Sequence, residues 1–369
     1  MSSFRSQAFR KPARNMELAG LNNINREVVM KKYGVVSGVF FLVVFFVLAT
    51  VNTAPTQEVI KLKYTHIMPA THRISILSEE WCKEVEKRTN GRVKVTFFPG
   101  GTLVPPVQTY EGVVSGIADV GFYVQGYTPG RFPMTEVIYL PLGVKSSSQA
   151  TKMINAWYDK FKPKEYDEAK LMYPFAIGPI VFMSIKPLNS INDLKGMKIR
   201  SGGDSVVIVN AMGGVYVSLP MADAYDGFQR GVVEGNLTPA EVLKGWKFGD
   251  LMKGLLINEG VGAPQAFGVS MNKAKWNSLP PDIQKTIEQI NKEWAVKTGT
   301  IFDELDKEGI EYGVSKGLKV VTVSKAEVEL TKQKMRPLLD AHVEKMKKMG
   351  LPGEASLKFC LDFLKSNPK

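Results

Sequence analysis

Leu194-Lys195-Gly196-Met197-Lys198-Ile199-Arg200-Ser201-Gly202-Gly203 is a short apolar strand that carries one arginine to its carboxyl end. The backbone amides of Ser201, Gly202 and Gly203 follow, and Asp204 is placed to cap a helix beginning near Ser205. Strand, turn and helix in succession is the repeating unit of a parallel α/β sheet. A guanidinium beside bare N–H groups at a helix start suits a carboxylate, because the planar fork pairs bidentately and the helix dipole favours an anion. The stretch predicts binding and not catalysis, with Arg200 as the anion receptor. An arginine paired with an acid at the surface is the alternative that this stretch alone leaves open.

The flanking chain repeats the alternation. Ile60–Thr65 reads as a strand, Ile74–Lys87 as an amphipathic helix, Arg92–Phe98 as a strand, Pro106–Ser115 as a helix and Ala118–Tyr123 as a buried strand. Further strands are expected at Lys170–Phe175 and Val181–Ile185, then at the strand ending on Arg200. An internal echo supports two similar halves: Tyr110-Glu111-Gly112, Gly116, Ile117 and Asp119 return as Tyr225-Asp226-Gly227, Gly231, Val232 and Glu234. Gly116 and Gly231 can each close a helix in the left-handed conformation before the chain enters an apolar strand. Ligands of open α/β sheets sit at the carboxyl ends of strands. That rule places Tyr123, Gln125 and Tyr127 at the site in the first copy, and Asn236, Thr238 and Glu241 in the second.

Some 310 residues beyond the amino-terminal segment suit two domains of about 150 each. Ile283–Tyr312 is one continuous helical pattern with Trp294 and Phe302 on apolar positions. About 30 residues of helix span roughly 45 Å, enough to tie both domains together. Lys319–Val323 reads as a strand, and Lys325–Met349 and Glu354–Leu364 as closing helices.

The amino terminus predicts export. No charged residue occurs from Tyr33 to Gln57, the run from Val35 to Val51 is almost wholly apolar, and Lys31 and Lys32 precede it. This is the layout of a secretory signal at residues 30–54, with a retained membrane anchor as the alternative. Residues 1–29 read as a disordered overhang upstream of a start at Met30. Residues 1–32 hold seven basic and two acidic residues, so they supply +5 of the net +12 and leave +7 on the remainder. That mild excess, not interleaved with aromatics, suits small anions and gives no nucleic-acid signature. Cys82, Cys360, His66, His72 and His342 form no metal-ligand spacing, and no cofactor is predicted. The two cysteines allow either a disulfide or two buried thiols.

Thr89-Asn90-Gly91-Arg92-Val93-Lys94-Val95, Pro99-Gly100-Gly101, Phe132-Pro133-Met134-Thr135-Glu136, Leu140-Pro141-Leu142, Asp193 to Arg200, Gly231-Val232-Val233-Glu234-Gly235 and Met271-Asn272-Lys273 occur in that order. Over about residues 60–350 the chain resembles the DctP-like family, the solute-binding subunits of tripartite ATP-independent periplasmic (TRAP) transporters. The resemblance implies a bilobed α/β receptor: two parallel-type sheet domains joined by crossing strands and a long spanning helix. It implies lobe I at residues 59–177 with 265–300, and lobe II at 178–264 with 301–369. It further implies a periplasmic monomer that closes on an organic acid, pairs its carboxylate with Arg200, and passes it to membrane permease subunits.

Sialic-acid-type members carry a second arginine where this chain has Pro179-Ile180-Val181, and many have Gln-Glu-Asn-Pro where it has Asn236-Leu237-Thr238-Pro239. One cation with Tyr123, Tyr127, Phe175, Phe182, Trp246 and Phe267 nearby points to a monocarboxylate with an apolar or aromatic body. His66, and less strongly His72, are expected to reach the cleft from the loop after the first strand. The rival readings are a receptor for a sensor system and an exported organic-acid enzyme. Against the enzyme, the chain has no Gly-x-Ser-x-Gly elbow and no histidine near an obvious nucleophile.

Overall fold

The computed structural model describes residues 58–202 and 205–368. The overhang and export-signal expectations for 1–29 and 30–54 lie outside the described residues, as do Gly203 and Asp204. Eleven strands are present among the described residues: β1 (Ile60–His66), β2 (Val93–Phe98), β3 (Val120–Val124), β4 (Ala169–Ile177), β5 (Val181–Ser184), β6 (Lys198–Ser201), β7 (Val215–Ser218), β8 (Gly235–Thr238), β9 (Gly254–Ile257), β10 (Gln265–Asn272) and β11 (Lys319–Thr322). They form a five-stranded sheet, β2-β1-β3-β10-β4, and a six-stranded sheet, β11-β9-β5-β8-β6-β7.

Each sheet is parallel except where the chain crosses between them. β10 runs antiparallel to β3 and β4, and β5 runs antiparallel to β8 and β9. The outward crossing is Gly178-Pro179-Ile180 between β4 and β5, and the return leads from β9 into β10. The two crossings are bonded together, Ile180 N donating to Ala263 O at 2.9 Å. An antiparallel return strand presents its amino end where its parallel neighbours present their carboxyl ends, so both sheets direct loops into one region.

The helix Arg73–Arg88 buries Ile74, Leu77, Trp81 and Val85 along one stripe against the first sheet. The spanning helix is Pro281–Ser315, 35 residues and about 52 Å long. It packs Ile283, Ile287, Ile290, Trp294 and Phe302 into the first core, and Ile310 packs into the core beside the second sheet. Asp303 accepts from Ser147 N at 2.6 Å at the start of the helix Ser147–Phe161, and Asp306 accepts from Glu241 N at 2.8 Å beside the second sheet. One helix thereby holds backbone from both halves within a single turn.

Assignment of all of 301–369 to the second half does not describe the closing helices. Lys325–Lys348 packs Met335 with Ile199 and Leu237 of the second sheet, but Leu339 and Val343 pack with Trp157 on the first. Gly353–Ser366 lies wholly on the first side, burying Leu357, Cys360 and Leu364 there, and Ser356 Oγ accepts from Trp157 Nε1 at 2.7 Å. Its apolar stripe fits the outer face of Ser147–Phe161, a contact that sequence distance concealed. Cys82 and Cys360 are free buried thiols in separate clusters. No helix of the described residues is long and apolar enough to cross a membrane.

Candidate functional site

The internal echo is structurally real. Gly116 and Gly231 both have positive φ, +79° and +69°. After each, an acidic residue begins a strand: Asp119 N donates to Lys63 O at 2.9 Å, and Glu234 N donates to Lys198 O at 2.8 Å. The carboxylates return the contact, Asp119 Oδ2 accepting from Lys63 N at 2.7 Å and Glu234 Oε2 from Lys198 N at 3.4 Å. The same helix-to-strand unit therefore sets β3 beside β1 and β8 beside β6 in parallel register. The carboxyl ends of all four strands border one cavity.

That cavity is narrow, with a volume of about 30 Å³, and its lining comes from both sheets. Ile67 and Met68 enter it after β1, Val124 and Tyr127 after β3, and Ile177 at the end of β4. The second half contributes Arg200 of β6 and Gly202 just after it, Met221 at the start of the helix after β7, Thr238 of β8, and Glu241 and Trp246 at the two ends of the short helix that follows β8. Gln265 and Phe267 of β10 complete the wall.

Arg200 is 1 % exposed. Its Nε donates to Leu219 O at 2.8 Å, Nη1 lies 3.8 Å from Met221 Sδ, and Nη2 donates to Tyr127 Oη at 3.4 Å. No carboxylate of the described residues is within ion-pair distance of it. A buried cation held by weak neutral partners is a costly arrangement unless an anion joins it. Tyr127 crosses from the first sheet to the second: its hydroxyl also accepts from Met221 N at 3.2 Å. The same tyrosine borders an adjoining recess lined by Ser201, Tyr216 and Ser218.

Glu241 brings a second polar pair to the cavity wall. His72 caps the helix Arg73–Arg88, with Nδ1 accepting from Ile74 N at 3.2 Å. Its Nε2 meets Glu241 Oε2 at 3.0 Å, and both side chains are buried. Behind Glu241, burial raises the carboxyl of Asp306 to about 8, with the charges of Glu241 and Asp303 adding to the rise. Among the described residues no group of acidic, histidine or cysteine side chains has the spacing to hold a metal ion.

Of the predicted site residues, Arg200, Tyr127, Thr238 and Glu241 border the cavity, and His72 is bonded to Glu241. The other five do not, each for a local reason. Tyr123 points to the opposite face of β3 from Val124, where its hydroxyl meets Ser270 Oγ at 3.0 Å. Gln125 turns back to donate to Tyr166 Oη at 2.6 Å and to Phe267 O at 3.3 Å. His66 is packed under the loop it begins, its ring 4.1 Å from that of Phe122 and its Nδ1 accepting from Met68 N. Burial, with His72 nearby, lowers that imidazole to about 3. Phe175 stacks behind Phe267 at 5.1 Å, one layer from the cavity. Asn236 sits opposite Arg200 in the β6–β8 register, wholly buried, with Nδ2 4.0 Å from Met183 Sδ and Oδ1 without a partner among the described residues. Of the six aromatics, Tyr127, Trp246 and Phe267 line the cavity, while Phe182 belongs to a core. Met221 and Gln265 were not anticipated; neither carries a local signal, because both reach the site only through the turn after β7 and the crossing into β10.

The chain matches the model of the DctP family, described as bacterial extracellular solute-binding protein, family 7, over residues 64–346. A solute-binding protein of Verminephrobacter eiseniae is 26 % identical over 275 residues, covering 73 % of this chain and 81 % of that one. A TRAP periplasmic solute-binding protein from Desulfovibrio salexigens, solved with the C-terminus of a symmetry mate in its ligand-binding site, is 34 % identical, with a TM-score of 0.73 over 83 % of this chain and 96 % of that one. A marine metagenome TRAP solute-binding protein specific for aromatic acid ligands, solved with 3-hydroxybenzoate, superposes with a TM-score of 0.80 at 24 % identity. It covers 85 % of this chain and 100 % of that one.

Proposed function

We propose that this chain, which belongs to the DctP family of bacterial extracellular solute-binding proteins, captures an organic monocarboxylate and delivers it to the permease subunits of a TRAP-type transporter. The observation that carries the reading is the buried Arg200 guanidinium at a cavity walled by both sheets. A carboxylate entering there meets a cation already stripped of water and fixed by Leu219 O, so little ordering remains to oppose the pairing.

The rest of the wall favours an apolar body. Ile67, Met68, Val124, Met221, Trp246 and Phe267 supply carbon and ring faces, and Arg200 is the single cation among the lining residues. A second carboxylate would meet Glu241 instead of another arginine. The aromatic-acid specificity of the marine relative is in keeping with this ligand class.

Residues 59–177 with the return segment from 265 act as one lobe and residues 178–264 as the other, hinged at the paired crossings. The ligand stabilises the closed form because only closure brings Arg200 and the first-sheet wall to the same molecule. Residues 30–54 direct the chain out of the cytoplasm into the periplasm, and it works there as a monomer.

Thermal-shift screening of the purified protein against mono- and dicarboxylates paired by size, with sugars alongside, tests the proposal. Stabilisation should rise with ligand concentration for monocarboxylates that carry an apolar body. Sugars as the sole stabilising compounds would refute it.

A further inference from the structure

A cavity that served only an anionic head and an apolar body would be walled, Arg200 apart, by carbon and neutral groups. This one also presents a carboxylate. Glu241 is 2 % exposed and borders the cavity, and its Oε2 is bonded to His72 Nε2 at 3.0 Å.

The hydrogen bonds assign the proton. His72 Nδ1 accepts from Ile74 N, so that nitrogen carries a lone pair and the ring hydrogen sits on Nε2. Nε2 therefore donates, and Glu241 Oε2 accepts. The other oxygen, Oε1, takes no hydrogen bond from the described residues.

The surroundings are built to hold this acceptor in place. The Glu241 amide is anchored on Asp306 Oδ1 at 2.8 Å. Gly245 leaves room for the pair: a Cβ there would fall 2.5 Å from His72 Nε2 and 2.7 Å from Glu241 Oε2. Trp246 covers the imidazole, with ring centroids 6.3 Å apart, and also lines the cavity.

We infer that Glu241, oriented by His72, is a specificity-determining residue that accepts a hydrogen bond from a donor group on the body of the carboxylate ligand. The inference rests on the receptor reading above and narrows its substrate class to monocarboxylates bearing a hydroxyl or an ammonium group. A site that commits a buried carboxylate to a donor rejects the analogue lacking it, since the acceptor would then be buried unpaired.

The test uses the full-length chain and acids that differ by one group: benzoate against the hydroxybenzoate isomers, and phenylacetate against mandelate and phenylglycine. Calorimetry, or fluorescence with Trp246 in the cavity wall, gives each dissociation constant. At least one hydroxylated or aminated acid should bind about 10- to 100-fold tighter than its parent, the range expected of a hydrogen bond to a charged group. The hydroxyl and amino arms identify which donor the site takes.

Glu241→Met should bring that ratio to about one, whatever happens to absolute affinity. Should Glu241→Met fail to fold, Glu241→Gln carries the measurement: a neutral amide should lower the ratio several-fold. Parent acids that bind the wild type as tightly as every substituted partner would overturn the inference while leaving the receptor reading intact. So would an unchanged ratio in the variant, the mark of a purely structural pair. Failure of every monocarboxylate to bind would overturn both.

Discussion

Replacing Arg200 by Met separates what the guanidinium does for the ligand from what it does for the fold. In the ligand-free protein the substitution removes the Nε bond to Leu219 O at 2.8 Å and strands that carbonyl, a cost of about 1–3 kcal/mol. It also removes a 1 % exposed cation that has no acid partner among the described residues, recovering a desolvation penalty of comparable or larger size. Ligand-free stability should therefore stay within about 2 kcal/mol of wild type, on either side. Ligand binding should move much further. Loss of a buried carboxylate pair costs about 2–5 kcal/mol, or roughly 30- to 5,000-fold in affinity. At a ligand concentration of 100 times the wild-type dissociation constant, binding adds about 2.7 kcal/mol to wild-type stability and at most about 0.9 kcal/mol to the variant. With about 310 folded residues the unfolding entropy is roughly 0.65 kcal/mol per kelvin, so the ligand-induced rise in melting temperature should fall from about 4 °C to about 1 °C. Differential scanning calorimetry with and without ligand reads both quantities. An undiminished ligand shift would refute the pairing; a ligand-free melting point lowered by more than about 5 °C would show that the arginine is structural.

Asp306 gives a prediction with a fixed sign. Burial raises its folded-state value to about 8, so the native chain holds the proton more tightly than the unfolded chain. The associated stability is fully present below about pH 4 and lost as pH rises through about 8. Asp306→Asn keeps an acceptor for Glu241 N, and urea midpoints at pH 5 and pH 8.5 should lie closer together in the variant than in wild type. Gly309 of the long helix sets propensity against packing. Alanine should gain about 1 kcal/mol as a helix former, but its Cβ would collide with the Ala240 carbonyl, so Gly309→Ala should lower stability by about 1–3 kcal/mol in urea titration. The thiols of Cys82 and Cys360 are pushed up by burial, the latter to about 12, and both should react with a thiol reagent only at the rate of unfolding. Rapid labelling of either in the native protein would refute that placement.

How far the sequence carried the fold is clearest at the duplicated unit. Gly116 and Gly231, each followed by an acid that opens an apolar strand, were legible because the motif is local, and the structure repeats it hydrogen bond for hydrogen bond. Periodicity located the spanning helix, since apolar stripes need only i, i+3 and i+4 spacing to be read. The site was legible to the level of the strand end and seldom to the side chain. Tyr123 and Val124 are neighbours, yet opposite strand faces send one to a core and the other to the cavity. Phe175 and Phe267 look alike in sequence, and only the β4–β10 register shows that one stands in front of the other.

The sequence by itself determined the α/β alternation, the two related halves, the long helix and the arginine at the end of β6, because each follows from local sterics or the period of apolar residues. Tertiary structure decided that the last helix returns to the first half, that Met221 and Gln265 reach the cavity, and that His72 and Glu241 meet across 169 positions of chain. Those outcomes depend on which surfaces pack together and where the crossings bring them, and no local signal encodes a meeting between side chains set by the relative placement of two sheets.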